Sequence, residues 1–208
     1  MKRQIEEVER NILDNFMHID FVEGKFAKAL RARHASKERV CSIYAEGFGN
    51  ILNAWFENKS EITLSDSKSV CRVLATMVTL CEKEPFLFES LGLDERLLEN
   101  LLFIAHLWQI SNTSVEDKKS KKEGSNALSH DAFDNLIFIL HGLCELRATL
   151  RVFCTIISDR NEIQEYLFSL CKSIETEACY ATQELSLEIV CKLYAQFLKS
   201  RPNIAMVI

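Results

Sequence analysis

Glycine and proline are scarce in this chain, six and two respectively among 208 residues. The hairpins of a many-stranded sandwich or barrel draw on both, so their scarcity excludes such folds and points to long helices. No window approaches 18 uncharged apolar residues, and the start Met1-Lys2-Arg3-Gln4-Ile5-Glu6-Glu7 lacks an apolar core. Neither a membrane span nor a secretory signal is therefore expected. Strong net charge is also missing: Lys+Arg 25 against Asp+Glu 30 leaves −5, which argues against a surface built wholly for nucleic acid or anionic lipid. What the chain has in quantity is apolar side chain, 48% of its residues, enough to offset the entropy of ordering. A soluble intracellular protein, cytoplasmic or nuclear, is the expectation.

Catalytic signatures are absent as well. Gly47-Phe48-Gly49 is too short for a phosphate cradle, follows no strand and sits in a helical pattern. His141 and Cys144 are three apart, but a structural zinc site needs four ligands and no second pair stands at suitable spacing. The eight cysteines, at 41, 71, 81, 144, 154, 171, 179 and 191, mostly lie among Leu, Ile and Val, where free thiols behave as small hydrophobes. No disulfide framework, metal, cofactor or catalytic group is expected.

The pattern of what is present is helical throughout. Ile5, Val8, Ile12, Ile19, Val22, Phe26 and Ala29 recur at 3–4 spacing along residues 1–35, one helix that either caps the domain or pairs with a second copy as a coiled coil. A second helix is expected over Lys37 to Glu57. A third runs through Val70 to Cys81 behind the polar N-cap region Leu64-Ser65-Asp66-Ser67, and Pro85 closes it and opens a short segment to Leu91. Asp94 caps a helix through Leu97 to Trp108, and residues 111–130 read as a flexible polar loop. Further helices are expected over Asp131 to Leu146, Ala148 to Ile157, Asn161 to Ile174 and Ala178 to Leu198, with Asp159 placed as a cap. One repeat domain, residues 36–208, follows the N-terminal helix.

Leu80-Cys81-Glu82 recurs as Leu143-Cys144-Glu145. Cys81 and Cys144 lie 63 positions apart, Phe103 and Phe168 lie 65 apart, and discounting the 20-residue polar loop leaves a period of 43 to 45. Helical solenoid units have that length. Val73 to Pro85 resembles the third helix of an armadillo repeat running into its proline-marked junction, Phe86 to Leu91 its short first helix, and Leu97 to Leu107 its second. The order returns as Leu136 to Leu146, Ala148 to Ile157 and Ile163 to Lys172, and a third copy begins at Leu185 to Leu198 with Pro202 at the matching junction. The resemblance to the armadillo and HEAT family implies an all-α fold, a short right-handed solenoid whose stacked units share one core.

That resemblance also implies a function: a non-catalytic adaptor holding a peptide or helix of another protein along the groove lined by Val70 to Cys81, Leu136 to Leu146 and Leu185 to Leu198. Armadillo proteins that carry nuclear-import cargo repeat Trp and Asn there, one turn apart. The matching positions here are Ala75 and Thr79, Phe138 and Gly142, and Glu188 and Lys192, which implies a different ligand, with Phe138 and Gly142 as an apolar notch. A separate feature is the basic stretch Lys25, Lys28, Arg31, Arg33, Lys37 and Arg39, which attracts phosphates or acidic peptide and offers the alternative of a nucleic-acid-associated protein. Lys118-Lys119-Ser120-Lys121-Lys122 has the character of a nuclear import signal.

Overall fold

The computed structural model describes residues 1–14, 18–32, 35–57, 64–113, 130–159 and 180–200. Among them stand nine helices and no strand: α1 (Lys2–Asp14), α2 (Ile19–Leu30), α3 (Lys37–Glu57), α4 (Leu64–Lys83), α5 (Phe86–Leu91), α6 (Glu95–Thr113), α7 (His130–Glu145), α8 (Arg147–Asp159) and α9 (Tyr180–Ser200). The all-helical class follows from the sequence. Asn161 to Ile174, the lysine run at 118–122, Cys171, Cys179 and the tail beyond Ser200 lie outside the described residues.

Local signals explain several boundaries. Pro85, at φ −57° and ψ −24°, stands at the N-terminal edge of α5, where its missing N–H deprives the helix of nothing. Asp94 caps α6 by accepting a hydrogen bond from the Leu97 amide onto Oδ1, 3.1 Å, satisfying one of the donors that every helix start leaves open. Other boundaries differ from the sequence reading. The third helix begins at Leu64, ahead of the polar Ser-Asp-Ser run, so those residues form its first turn. Asp159 ends α8 as its last helical residue, and residues 111–113, read as loop, continue α6.

The expected single helix over residues 1–35 is two. α1 packs on α3, and α2 packs on α3 and α4. Each piece spends its apolar stripe inward: Ile5, Val8 and Ile12 from α1, Val22 and Phe26 from α2, all buried. Burying a side chain of this size contributes about 1.5–3 kcal/mol. Phe26 meets the Tyr44 ring edge-on at 4.7 Å and 70°, and the Asn50 side-chain amide donates to Glu9 Oε1 at 2.8 Å, tying α1 to α3. Of that region's large apolar residues, Leu13 and Phe21 stay exposed.

The helices stand in two rows. α2, α4, α7 and α9 follow one another in one row, and α1, α3, α6 and α8 in the other, with α5 lodged against α3, α4 and α7. The three helices carrying the repeated pattern, α4, α7 and α9, are thus neighbours in sequence of repeat and in space. Leu80, Cys81, Leu143 and Cys144 are all buried, each 3% exposed or less. Helix α7 is the middle of the array, and α4, α5, α6, α8 and α9 all pack on it.

Two glycines permit this closeness. A Cβ on Gly142 would stand 2.4 Å from Phe88 Cζ, and one on Gly92 would stand 2.3 Å from Thr149 Oγ1. Alanine is the better helix former by about 1 kcal/mol, yet overpacking costs about 1–3 kcal/mol. Gly142→Ala is therefore expected to lower the stability measured by urea unfolding, and Phe88→Leu in the same chain to restore part of the loss. A stabilised Gly142→Ala protein would show that the Phe88 ring does not lie on α7.

Candidate functional site

The residues marked for partner binding all fall on the row α4–α7–α9, in three different settings. On α4, Ala75 and Thr79 are half-buried, and the Thr79 hydroxyl donates back to the Ala75 carbonyl at 3.0 Å, so it offers a partner its acceptor lone pairs. On α7, Phe138 and Gly142 do not form an open notch. The chain's own Phe88 fills it, its ring 6.2 Å from that of Phe138 at 47° and pressed on the bare Gly142 backbone.

On α9, Glu188 and Lys192 join two residues of α7 in a compact charged cluster. His141 Nε2 lies 2.7 Å from Glu188 Oε2 and 3.5 Å from Glu145 Oε1, while the Lys192 ammonium bonds Glu145 and stands 3.5 Å from Glu188 Oε2. The local helix geometry makes this possible: His141 and Glu145 are four apart on α7, Glu188 and Lys192 four apart on α9, so each pair shares a helix face. The facing of α7 and α9 then brings the pairs together, and Thr182, donating to Asp134 Oδ1 at 2.6 Å, pins the same interface further along.

The electrostatics follow from those contacts. The hydrogen bond from His141, reinforced by the charges of His141 and Lys192, holds the Glu188 carboxyl below its ordinary value of 4.5. Burial works against the charge on Lys192, but Glu145 and Glu188 outweigh it and raise the ammonium above its ordinary value. One atom each from His141, Glu145 and Glu188 lies within 4.8 Å of the others, a set with ligand character for a divalent cation. Lys192 already neutralises the same two carboxylates, so a cation would have to displace the ammonium. Sequence reasoning paired His141 with Cys144 instead, but Cys144 turns into the core. The only local signal for the cluster is the two i, i+4 pairs, His141 with Glu145 and Glu188 with Lys192, and it does not show that the two pairs face one another.

Four of the described cysteines are poor nucleophiles. Burial raises the Cys41 and Cys154 thiols to about 11 and Cys144 to about 12, and lifts Cys81 strongly. All four are free and stay protonated at neutral pH, which leaves them unreactive.

The basic stretch is divided by the fold. Lys25, Lys28 and Arg31 stand exposed on or just beyond α2, Lys37 and Arg39 on the first turn of α3, and Arg33 lies outside the described residues. Lys37 is bound to Glu84 at 3.0 Å, which raises its own pKa above the ordinary lysine value through that hydrogen bond. Lys25 sits 5.2 Å from the centre of the Phe21 ring. Lys25 and Arg39 turn toward a cleft that also takes in Gln4, Glu7 and Tyr44. No described helix is long and apolar enough to cross a membrane.

No family model, curated protein or solved structure matches the chain.

The depressed Glu188 carboxyl has a consequence for stability. A group whose folded pKa lies below its unfolded one stabilises the fold above the ordinary carboxylate range and loses that contribution as pH falls through the folded value. Wild-type protein is expected to need more urea than Glu188→Gln near pH 6, and the gap to close near pH 3. Urea midpoints that differ equally at both pH values would mean that the charge of Glu188 plays no part.

Proposed function

We propose that this chain is a non-catalytic interaction module, an armadillo-like right-handed solenoid whose α4–α7–α9 row receives an extended peptide or a helix of another protein. The observation that carries the reading is the side-by-side order of α4, α7 and α9, the helices on which the repeat pattern recurs. Stacked helical units present one helix from each to a common face, and that face gathers side chains for a ligand that spans several units. On this face Thr79 supplies acceptor capacity, and the cluster on α7 and α9 supplies both signs of charge at a surface still open to water, Glu145 and Glu188 being about half exposed. Such charges set partner choice and register more than affinity. The buried, protonated thiols fit a role without chemistry. The compartment that goes with this reading is the cell interior, cytoplasm or nucleus.

Nucleic-acid association through residues 25–39 draws less support. Lys37 is occupied by Glu84, and Lys25 and Arg39 face a cleft rather than a shared flat surface. Phosphate tracking needs cations in register along one face.

A photo-crosslinking residue placed at Thr79, at Glu188 and, as control, at Leu93 tests the proposal in cells. Leu93 is 86% exposed and lies in the turn between α5 and α6. The same partner is expected to be trapped from Thr79 and Glu188 and not from Leu93, and Glu188→Arg to weaken its binding about tenfold, a loss of about 1.4 kcal/mol. Partners trapped only from Leu93 would contradict the assignment. Charged replacements at Phe138 are unsuited to this purpose, because they strike the Phe88 contact and hence folding.

A further inference from the structure

The N-terminal helices enclose a cleft that the α4–α7–α9 reading does not use. It measures about 380 Å³, between α1, α2 and α3, within the range of small-ligand sites. Its wall is apolar and shallow-sided, with Val8 from α1, Ala29 from α2, and Val40 and Ile43 from α3, and with Ala32 and Ala35 between the last two helices. The alanines leave room where larger side chains would close the gap.

Three polar groups on this lining lack partners that their chemistry calls for. Lys25 and Arg39 are both exposed, and neither meets a carboxylate among the described residues. Lys25 contacts only the face of Phe21, and Arg39 is fixed through its backbone amide, which donates to Ser36 Oγ at 3.2 Å. The third is Tyr44, 5% exposed, whose hydroxyl has no hydrogen-bond partner among the described residues. Buried hydroxyls are ordinarily bonded, and one left alone is destabilising. Burial, aided by the charge of Glu7, raises Tyr44 to about 12, so at neutral pH its hydroxyl is a donor in want of an acceptor.

The charge of the lining indicates the kind of acceptor. Glu7 faces the same cleft as Lys25 and Arg39, leaving a single net positive charge among its ionised groups. One negative charge balances it, whereas a dianion would overcompensate beside Glu7. Arg39 offers the planar fork that suits a carboxylate, and Lys25 a second, point-like donor.

We propose that the cleft between α1, α2 and α3 binds a small amphipathic monocarboxylate, its head group held by Lys25, Arg39 and the Tyr44 hydroxyl and its apolar body laid against Val8, Ala29 and Ile43.

Calorimetric titration of octanoate into the full chain at neutral pH tests this, with octanol and octyl phosphate as the other two probes. Octanoate is expected to bind at one site and to raise the melting temperature. Lys25→Met and Arg39→Met are each expected to weaken it about tenfold, and both replace exposed residues, so the fold remains for the comparison. Tyr44→Phe keeps the ring on Phe26 and is expected to weaken octanoate severalfold, while octanol, with the same body and no charge, binds about tenfold less well or worse. Absence of octanoate binding, equal binding by all three variants, or tighter binding of octyl phosphate than of octanoate would each overturn the assignment.

Discussion

Helix α7 buries an apolar face nearly half its circumference wide, and no single neighbour can cover it. Phe133, Leu136, Ile137, Ile139, Leu140 and Leu143 are each 3% exposed or less, an arc broader than the seam between two helices. The rest of the fold answers that constraint. α4 and α9 flank α7 within its row, α6 and α8 lie against it from the second row, and α5 inserts between. Phe88 reaches α7 only because position 142 has no side chain. Helix α1, by contrast, is amphipathic, with charged residues outward and Ile5, Val8 and Ile12 inward.

Such an arrangement explains where chemistry is left on the surface. Cys81 and Cys144 turn inward and lose their reactivity, and Thr76 satisfies itself by donating to the Arg72 carbonyl at 2.9 Å. Charged groups of neighbouring helices gather at His141, Glu145, Glu188 and Lys192, and again at the rim of the α1–α2–α3 cleft. The first is internally balanced and fits a recognition surface. The second holds two cations, Lys25 and Arg39, that meet no carboxylate among the described residues, which is why a ligand is proposed there.

The legible part of the structure is the part dictated by local chemistry. Pro85, the Asp94 cap and the 3–4 spacing of apolar residues marked out α3, α5, the core of α4 and the start of α6, since each acts within a turn or two of chain. The recurrence of Leu-Cys-Glu drew attention to α4 and α7, which pack against one another. What stayed hidden depends on contacts between distant residues. The break between α1 and α2 is set by what each packs against, so a continuous stripe from Ile5 to Ala29 looked like one helix. The filling of the Phe138–Gly142 notch by Phe88 needs the position of α5, which a six-residue helix does not announce. The charged cluster needs the facing of α7 and α9, and the cleft needs the facing of α1 and α3, across 41 residues from Glu9 to Asn50. The run of basic residues was a guide only in part, because Lys25 of α2 and Arg39 of α3 meet at one cleft whereas Lys37 turns to Glu84.

Native-state hydrogen exchange resolved along the chain tests the centrality of α7 most directly. Amides of α7 are expected to exchange only through global unfolding, with the same free energy as denaturant melting, while those of α1 and α2 open at lower cost. If α7 exchanged as readily as α1, the helix would not be the shared interior of its neighbours, and the account built on it would fail.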